Sequence, residues 1–149
     1  MAVSPVRVFF YGSYINRAVL REVDMTPSIW EPAHLAGFDI AIAPRANLVP
    51  SDQYRVYGVL TQATHSELHR LYAHAEHVLG EVYLPEAVLV ERLVGGFVPA
   101  LCYRAHTMVP RPADAAYVAR IVEPARALDF PAWYVERLQA FNATAESTP

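Results

Sequence analysis

The sequence VRVFFYGSYIN, from Val6 to Asn16, joins an apolar run to a Gly-Ser pair near the start of the chain. Val6 to Tyr11 is rich in β-branched and aromatic residues, which is typical of a buried strand. The run breaks at Gly12-Ser13, and the apolar spacing from Ile15 to Val23 predicts one face of a helix. A strand that ends in a glycine turn and opens a helix presents unpaired backbone N–H groups, which suit an anion. The stretch therefore predicts an anion-binding loop, while in the simpler interpretation Gly12 only makes the turn.

The composition favours one domain that acts on a small molecule. The chain has 149 residues, 54% of them hydrophobic and 18% charged, which is enough for a buried core. No apolar stretch approaches the ~18 residues of a membrane span, and the first five residues do not resemble a secretory signal. A net charge of −3 without a Lys/Arg cluster argues against nucleic acid as the main partner. The single cysteine, Cys102, lies in an apolar run, so we expect a cytoplasmic protein with a buried, unreactive thiol.

Strand and helix patterns follow each other without regular β-α-β order, which is typical of an α+β domain. Trp30 to Ala43 alternates around Gly37 and predicts a long bent strand, or two strands joined at a bulge. Pro44 to Gln53 is interpreted as a connection, and Tyr54 to Thr61 as a strand in which Gly58 allows a close backbone approach. The next predicted element is a helix that begins at the capping box Thr64–Glu67 and ends at Gly80. Two strands follow, Val82 to Leu93 and Phe97 to His106, around the Gly95-Gly96 turn. Two helices, Ala113 to Leu128 and Pro131 to Phe141, complete the chain of predicted elements.

At least five strands around one apolar interior favour a closed or nearly closed barrel flanked by helices over an open sheet. We expect this α+β domain to span residues 1–141, followed by a disordered, polar tail over 142–149.

The predicted helix after Thr64 carries the residues that suggest chemistry. At ~100° per residue, Glu76 falls at the edge of its apolar face, beside Tyr72. His65 and His69 stand one helical turn apart, as a metal-binding pair would, but Glu76 lies about two turns further on. Metal binding is therefore kept only as an alternative. His74 and His77 project from the opposite side and are predicted to be surface residues.

Three stretches, in order, resemble the gamma-glutamylcyclotransferase-like (AIG2-like) family. Val8 to Ser13 resembles the strand and Tyr-Gly-Ser loop of that family. Val56 to Leu60, followed by a helix with Glu76 and then by Tyr83, resembles the block that carries its catalytic glutamate. Tyr117 to Val135 is similar to the C-terminal helices of bacterial members.

The chain departs from the family pattern near the same motifs. Tyr14 stands where the family often has Asn or Leu, and Tyr72 replaces the Asp that follows the helix leucine. One additional residue also precedes Glu76, which turns its carboxylate by ~100° unless the helix adjusts.

The resemblance implies a mixed β-barrel with flanking helices and a specific reaction. The family converts a gamma-glutamyl amide to 5-oxoproline and a free amine, because the α-amine of the substrate attacks its own γ-carbonyl without metal or cofactor. By resemblance, Glu76 is the general acid and base, with Glu81 and Glu86 as the other candidates. The set implied to bind substrate is Tyr11, Gly12, Ser13, Tyr14 and Tyr83, of which the loop N–H groups would hold a carboxylate or oxyanion and Tyr11 and Tyr83 would wall the pocket.

Two further possibilities stay open from the sequence. The same barrel could bind a small molecule without catalysis, because the additional residue could misplace the glutamate. The chain could form a homodimer, and the amine that leaves the gamma-glutamyl substrate is not fixed by any motif.

Overall fold

Most of the chain lies in strands that wrap around one interior or in helices packed outside them. The computed structural model describes residues 4–146. Its elements are β1 (Val6–Phe10), a 3-10 turn (Gly12–Ile15), α1 (Arg17–Arg21), β2 (Glu31–Ile42), β3 (Ala46–Ala63), α2 (His65–His74), a π-helical turn (Ala75–Leu79), β4 (Leu84–Arg92), β5 (Phe97–Arg104), α3 (Ala115–Ala127) and α4 (Ala132–Glu146). Among these residues, no helix is long and apolar enough to cross a bilayer.

The strands close into a mixed barrel in the order β1-β3-β2-β4-β5. Neighbouring strands are antiparallel except at the closure, where β1 runs parallel to β5 with Val8 opposite Leu101. The predicted α+β barrel flanked by helices is therefore confirmed.

β2 is one long strand with a break in its register. The pairing with β3 shifts between Ala36 and Phe38, where Gly37 adopts a φ of +87°. This is the bulge that the alternation around Gly37 predicted, and it lets a strand of 12 residues bend around the barrel.

Gly58 on β3 lets the first strand approach closely. A Cβ atom at this position would lie 2.1 Å from the carbonyl oxygen of Phe10 and 2.7 Å from the ring of Phe9. No real Cβ tolerates such contacts, so the predicted role of Gly58 is confirmed. β1 consequently packs its aromatic residues directly over the β3 backbone, and the loop that follows β1 takes its position from this contact.

Several predicted boundaries differ from those of the structure. The connection predicted for Pro44 to Gln53 is wrong, because β3 already begins at Ala46 and residues 46–50 pair with β2 through their backbones. The first helix begins at Arg17 rather than Ile15, since Asn16 caps it by accepting a hydrogen bond from the Ala18 amide. α4 continues to Glu146 instead of ending at Phe141; of the predicted tail, residues 147–149 lie outside the described part.

Candidate functional site

The loop after β1 sits directly against the beginning of β3. Gly12 has a φ of +66°, which L side chains rarely adopt, and a Cβ there would lie 2.4 Å from the Cβ of Ala46. Only glycine therefore lets the turn approach Ala46 this closely. The loop takes the form of a 3-10 turn with all four residues buried, rather than an open helix N-terminus.

Beside this loop lies a space walled mainly by aromatic hydroxyls, which we call the tyrosine cavity. It is too narrow in this conformation to hold a water molecule. The lining residues are Tyr11, Ser13, Tyr14, Ala46, Leu79, Tyr83, Tyr103 and Tyr117. The structure thus brings together four of the residues implied by the resemblance: Tyr11, Ser13, Tyr14 and Tyr83. Gly12 does not line the cavity but lies in the same turn, against Ala46.

Two of the tyrosines, Tyr103 and Tyr117, were not predicted as site residues. Tyr103 lies on β5 and Tyr117 in the first turn of α3, far from the loop in sequence. The only available indication was that Tyr117 begins the third stretch of the family resemblance, because a single tyrosine in a strand or helix carries no sign of its partner.

The Tyr103 hydroxyl fixes the backbone just before the loop. It accepts a hydrogen bond from the Tyr11 amide at 2.9 Å and donates one to the Tyr11 carbonyl at 2.6 Å. In return, the Tyr11 hydroxyl donates to the Tyr103 carbonyl at 2.9 Å, and the two rings stack with centroids 4.6 Å apart. This reciprocal pair ties β1 to β5 at the point where the barrel closes.

Ala46 is held from the other side by two more hydroxyls of the cavity. The Tyr83 hydroxyl donates to the Ala46 carbonyl at 2.5 Å, and the Tyr117 hydroxyl accepts from the Ala46 amide at 3.0 Å. These bonds fix the backbone of Ala46, whose Cβ faces the Gly12 turn.

Burial keeps the hydroxyls of the cavity protonated. Desolvation is the main cause that raises the pKa of Tyr11, Tyr83 and Tyr103, and the phenols of Tyr83 and Tyr103 also raise the pKa of Tyr11. The same cause raises the pKa of Tyr14 and Tyr117. The cavity is therefore a cluster of neutral hydroxyls, able to donate to a carbonyl or an oxyanion.

Tyr14 is joined to a buried histidine and, through it, to a carboxylate. Its hydroxyl lies 3.2 Å from Nδ1 of His74 on α2, whose Nε2 is 3.4 Å from Oε1 of Glu22. The second contact has an ion-pair distance without the alignment of a hydrogen bond. The His74 side chain is only 8% exposed, so the prediction that His74 is a surface residue is wrong: the helix turns it towards the loop.

The predicted acid and base, Glu76, lies in the π-helical turn and is exposed. A π turn accommodates one additional residue in a helix, so the helix does adjust as the spacing required. From this turn, however, Leu79 and not Glu76 lines the tyrosine cavity. The role of Glu76 stays a prediction.

The other two carboxylate candidates lie in different surroundings. Glu86 contacts Arg104 at 3.4 Å on the paired strands β4 and β5. Glu81 follows Gly80 at the end of the π-helical turn and lines an open cleft, described next.

This cleft, which we call the charged cleft, adjoins the tyrosine cavity at Leu79 and has a volume of about 430 Å³. It is lined by Pro44, Arg45, Leu79, Gly80, Glu81, Val82, Thr107, Val109 and Arg111. The Arg45 Nε donates to the Leu79 carbonyl at 3.1 Å, and its guanidinium lies 4.7 Å from the centre of the Tyr117 ring. Two cations and a carboxylate therefore line a cleft that shares Leu79 with the tyrosine cavity.

The histidines considered as a metal pair, His65 and His69, line a separate cleft with Tyr72. Among residues 4–146, no group of three or more His, Cys, Asp or Glu side chains is arranged to hold a metal ion. Cys102 is buried in the barrel, and desolvation raises the pKa of its thiol to about 12.

Solved structures match this fold over almost the whole chain. An uncharacterised protein from Homo sapiens superposes with a TM-score of 0.79 at 21% identity, covering 91% of this chain and 87% of that one. A gamma-glutamyl cyclotransferase gives a TM-score of 0.78 at 21% identity, with 92% and 88% covered. A yeast gamma-glutamyl cyclotransferase specific to glutathione gives 0.67 at 14% identity, with 96% of each chain covered.

No protein-family model matches the sequence, and no curated protein does. The structural matches define the class: the chain has the gamma-glutamylcyclotransferase-like fold, a closed mixed barrel with a Tyr-Gly-Ser loop after its first strand. The resemblance seen in the sequence is thus confirmed at the level of the fold.

Proposed function

We propose that this chain binds a gamma-glutamyl amide where the tyrosine cavity meets the charged cleft, and converts it to 5-oxoproline and a free amine. The observation that carries the proposal is that Leu79 lines both spaces, so a cleft with Arg45, Arg111 and Glu81 lies next to a cavity of neutral hydroxyl donors. The fold shared with proteins named gamma-glutamyl cyclotransferases supports it.

The reaction needs positioning more than it needs a strong reagent. The α-nitrogen of the ligand must lie against its own γ-carbonyl, and holding it there supplies a large part of the rate enhancement. In the proposal, the two arginines of the charged cleft attract the α-carboxylate, and the tyrosine hydroxyls donate to the γ-carbonyl oxygen as it becomes an oxyanion. Because the cavity does not admit water as it stands, the tyrosine side chains must move apart when a ligand enters.

A group that moves protons is also required, since the α-nitrogen attacks only as a neutral amine. The resemblance assigns this role to Glu76, whose exposed side chain would have to fold back over the helix to reach the cavity. Glu81 lies nearer, because it lines the adjoining cleft. A variant of each glutamate to glutamine, assayed in parallel, tests these two assignments directly.

The proposed reaction is tested by incubating the purified chain with γ-glutamyl-alanine and measuring 5-oxoproline by mass spectrometry. The isomer α-glutamyl-alanine serves as the control compound, because its α-amine cannot close the same ring onto a γ-amide. We expect 5-oxoproline only from the γ-isomer, and none from an N-acetylated γ-glutamyl compound. Equal amounts from both isomers, or none from either, would contradict the proposal.

Binding without turnover is the second candidate function. It is favoured by one observation: among the described residues that line the tyrosine cavity, none is a carboxylate. Ligand-induced changes in the NMR signals of the loop, together with the absence of 5-oxoproline, would support this candidate over the enzyme.

A further inference from the structure

Tyr14, His74 and Glu22 form a connected path from the tyrosine cavity to the surface. Tyr14 is 3% exposed and comes from the loop after β1, His74 comes from α2, and Glu22 caps the end of α1. The two contacts along the path are 3.2 Å and 3.4 Å long. Three separate elements thus converge on one line of polar atoms in an otherwise apolar region.

The outer end of the path is held in the ionised form. Arg120 of α3 donates to Oε2 of Glu22 at 2.5 Å, and this hydrogen bond is the main cause that lowers the pKa of the Glu22 carboxyl. A carboxylate beside Nε2 favours the His74 tautomer that carries its hydrogen there. Nδ1 is then free to accept the hydrogen of the Tyr14 hydroxyl at 3.2 Å, in preference to the Leu71 carbonyl, which lies 3.4 Å from the same hydroxyl.

The inner end of the path faces the other hydroxyls of the cavity. Tyr14 lines the tyrosine cavity together with Tyr83 and Tyr103, and its ring centroid lies 5.8 Å from that of Tyr103. With its hydrogen directed to His74, this oxygen presents its lone pairs to a donor that enters the cavity.

We propose that Tyr14, His74 and Glu22 are a proton relay for the cavity, in which Tyr14 exchanges protons directly with the amine of the ligand. The inference rests on the proposed function, because it supplies the acid and base that the reaction requires. It makes Tyr14 a catalytic residue, and His74 and Glu22 positioning residues that act through it.

The proton balance of the relay closes without another reactant. As the ligand ammonium gives a proton to the Tyr14 oxygen, the Tyr14 hydroxyl hydrogen passes to Nδ1 of His74, and the imidazolium is stabilised by Glu22. The neutral amine attacks the γ-carbonyl and forms the ring C–N bond. The relay then returns the proton through Tyr14 to the leaving nitrogen as its C–N bond breaks. The second proton of the ring nitrogen follows the same route, so the two protons lost by one nitrogen are gained by the other.

Burial explains why Tyr14 would need a partner for this task. Desolvation raises the pKa of Tyr14 above its ordinary value, so a free tyrosinate is unfavourable in the cavity. A concerted transfer to His74 avoids that species. The arrangement parallels the use of a histidine and a carboxylate to activate a hydroxyl in hydrolases, although here the hydroxyl carries protons and does not attack.

The kinetic test compares Tyr14→Phe, His74→Gln and the double variant in the γ-glutamyl-alanine assay. General acid–base catalysis is worth ~10²–10⁴-fold, so we expect kcat to fall by ~10²-fold in each single variant. Since the residues act as one unit, the double variant should be no slower than the slower single variant, with KM nearly unchanged. Multiplicative losses, or single variants that keep wild-type kcat, would overturn the relay.

Two matched controls separate the relay from a structural role. His77→Gln changes an exposed histidine of the adjacent π-helical turn and should leave kcat unchanged. Glu22→Gln alters a partly exposed side chain, so it should keep the melting temperature while it lowers kcat. Wild-type kcat in Glu22→Gln would remove Glu22 from the relay and contradict the proposal.

A measurement without turnover keeps the relay distinct from the proposed function. Long-range ¹H–¹⁵N NMR should show the His74 tautomer with hydrogen on Nε2, and 5-oxoproline should shift the Nδ1 resonance. If the wild-type chain forms no 5-oxoproline but these NMR results hold, the proposed reaction fails and the connection between Tyr14 and His74 stands. The opposite tautomer, or ring nitrogens that do not respond to 5-oxoproline, would refute the relay itself.

Discussion

Replacing Tyr103 by phenylalanine removes a single oxygen on which two backbone groups depend. The hydroxyl accepts from the Tyr11 amide and donates to the Tyr11 carbonyl, and both residues are fully or almost fully buried. The phenyl ring can keep its stacking against Tyr11, so the change isolates the hydrogen bonds from the packing. A buried polar group that loses its partner costs ~1–3 kcal/mol, so two such groups should lower the free energy of unfolding by ~2–6 kcal/mol.

The matched variant is Tyr11→Phe, which removes only the hydrogen bond from the Tyr11 hydroxyl to the Tyr103 carbonyl. One unpartnered group predicts a loss of ~1–3 kcal/mol, about half that of Tyr103→Phe. Urea denaturation gives both free energies from the midpoint and slope, and the melting temperature should fall by ~2–4 °C per kcal/mol for a chain of this size. Equal losses in the two variants, or a larger loss in Tyr11→Phe, would refute the assignment of two backbone partners to the Tyr103 hydroxyl.

The other predictions concern the loop, the glutamate and the thiol. Gly12→Val should weaken binding of 5-oxoproline and lower the melting temperature more than Gly37→Val does. Both glycines have positive φ, but of the two only Gly12 has another atom within 4 Å of where a Cβ would lie. Equal effects on the melting temperature would contradict this prediction. Glu76→Gln should keep 5-oxoproline formation within a few-fold of wild type, as its side chain is exposed; a ~10²–10⁴-fold loss would instead support the role predicted from the sequence and contradict the relay. The free energy of unfolding should fall as pH rises from ~8.5 towards 12. In that range the unfolded chain loses the Cys102 proton, whereas the folded chain keeps this proton because burial raises the pKa of the thiol to about 12. Urea denaturation at pH 8 and pH 10 should show that the free energy of unfolding falls less with pH in Cys102→Ala than in the wild type. An equal fall in the two proteins would disprove the contribution of the thiol.

Local chemistry was enough to predict much of the fold. The capping box formed by Thr64 and Glu67 is present with both of its hydrogen bonds, because it depends only on residues three apart. Gly37 and Gly58 were assigned correctly for a related reason: a glycine inside a strand pattern has few explanations other than a bulge or a close contact. The barrel followed from the number of strands and a single apolar interior.

The errors arise where partners distant in sequence decide the outcome. Pro44 to Gln53 has the composition of a loop, yet residues 46–50 pair with β2 and β3 already begins at Ala46. His74 was assigned to the surface from the helical periodicity of its own segment, whereas Tyr14 and Glu22 of the first 25 residues cover it. Tyr103 shows the same limit, since its function as a backbone clamp depends on a residue 92 positions away.

Ala46 gives a criterion for reading related sequences. Its side chain touches the position where any Cβ of residue 12 would lie, while Tyr83 and Tyr117 hold its carbonyl and amide. A larger residue at position 46 would press on the Gly12 turn, and a side chain at position 12 would press back on position 46. Across homologues the two positions should therefore vary together or not at all. A sequence with a bulky residue at either position is expected to have a different backbone conformation in the loop after the first strand.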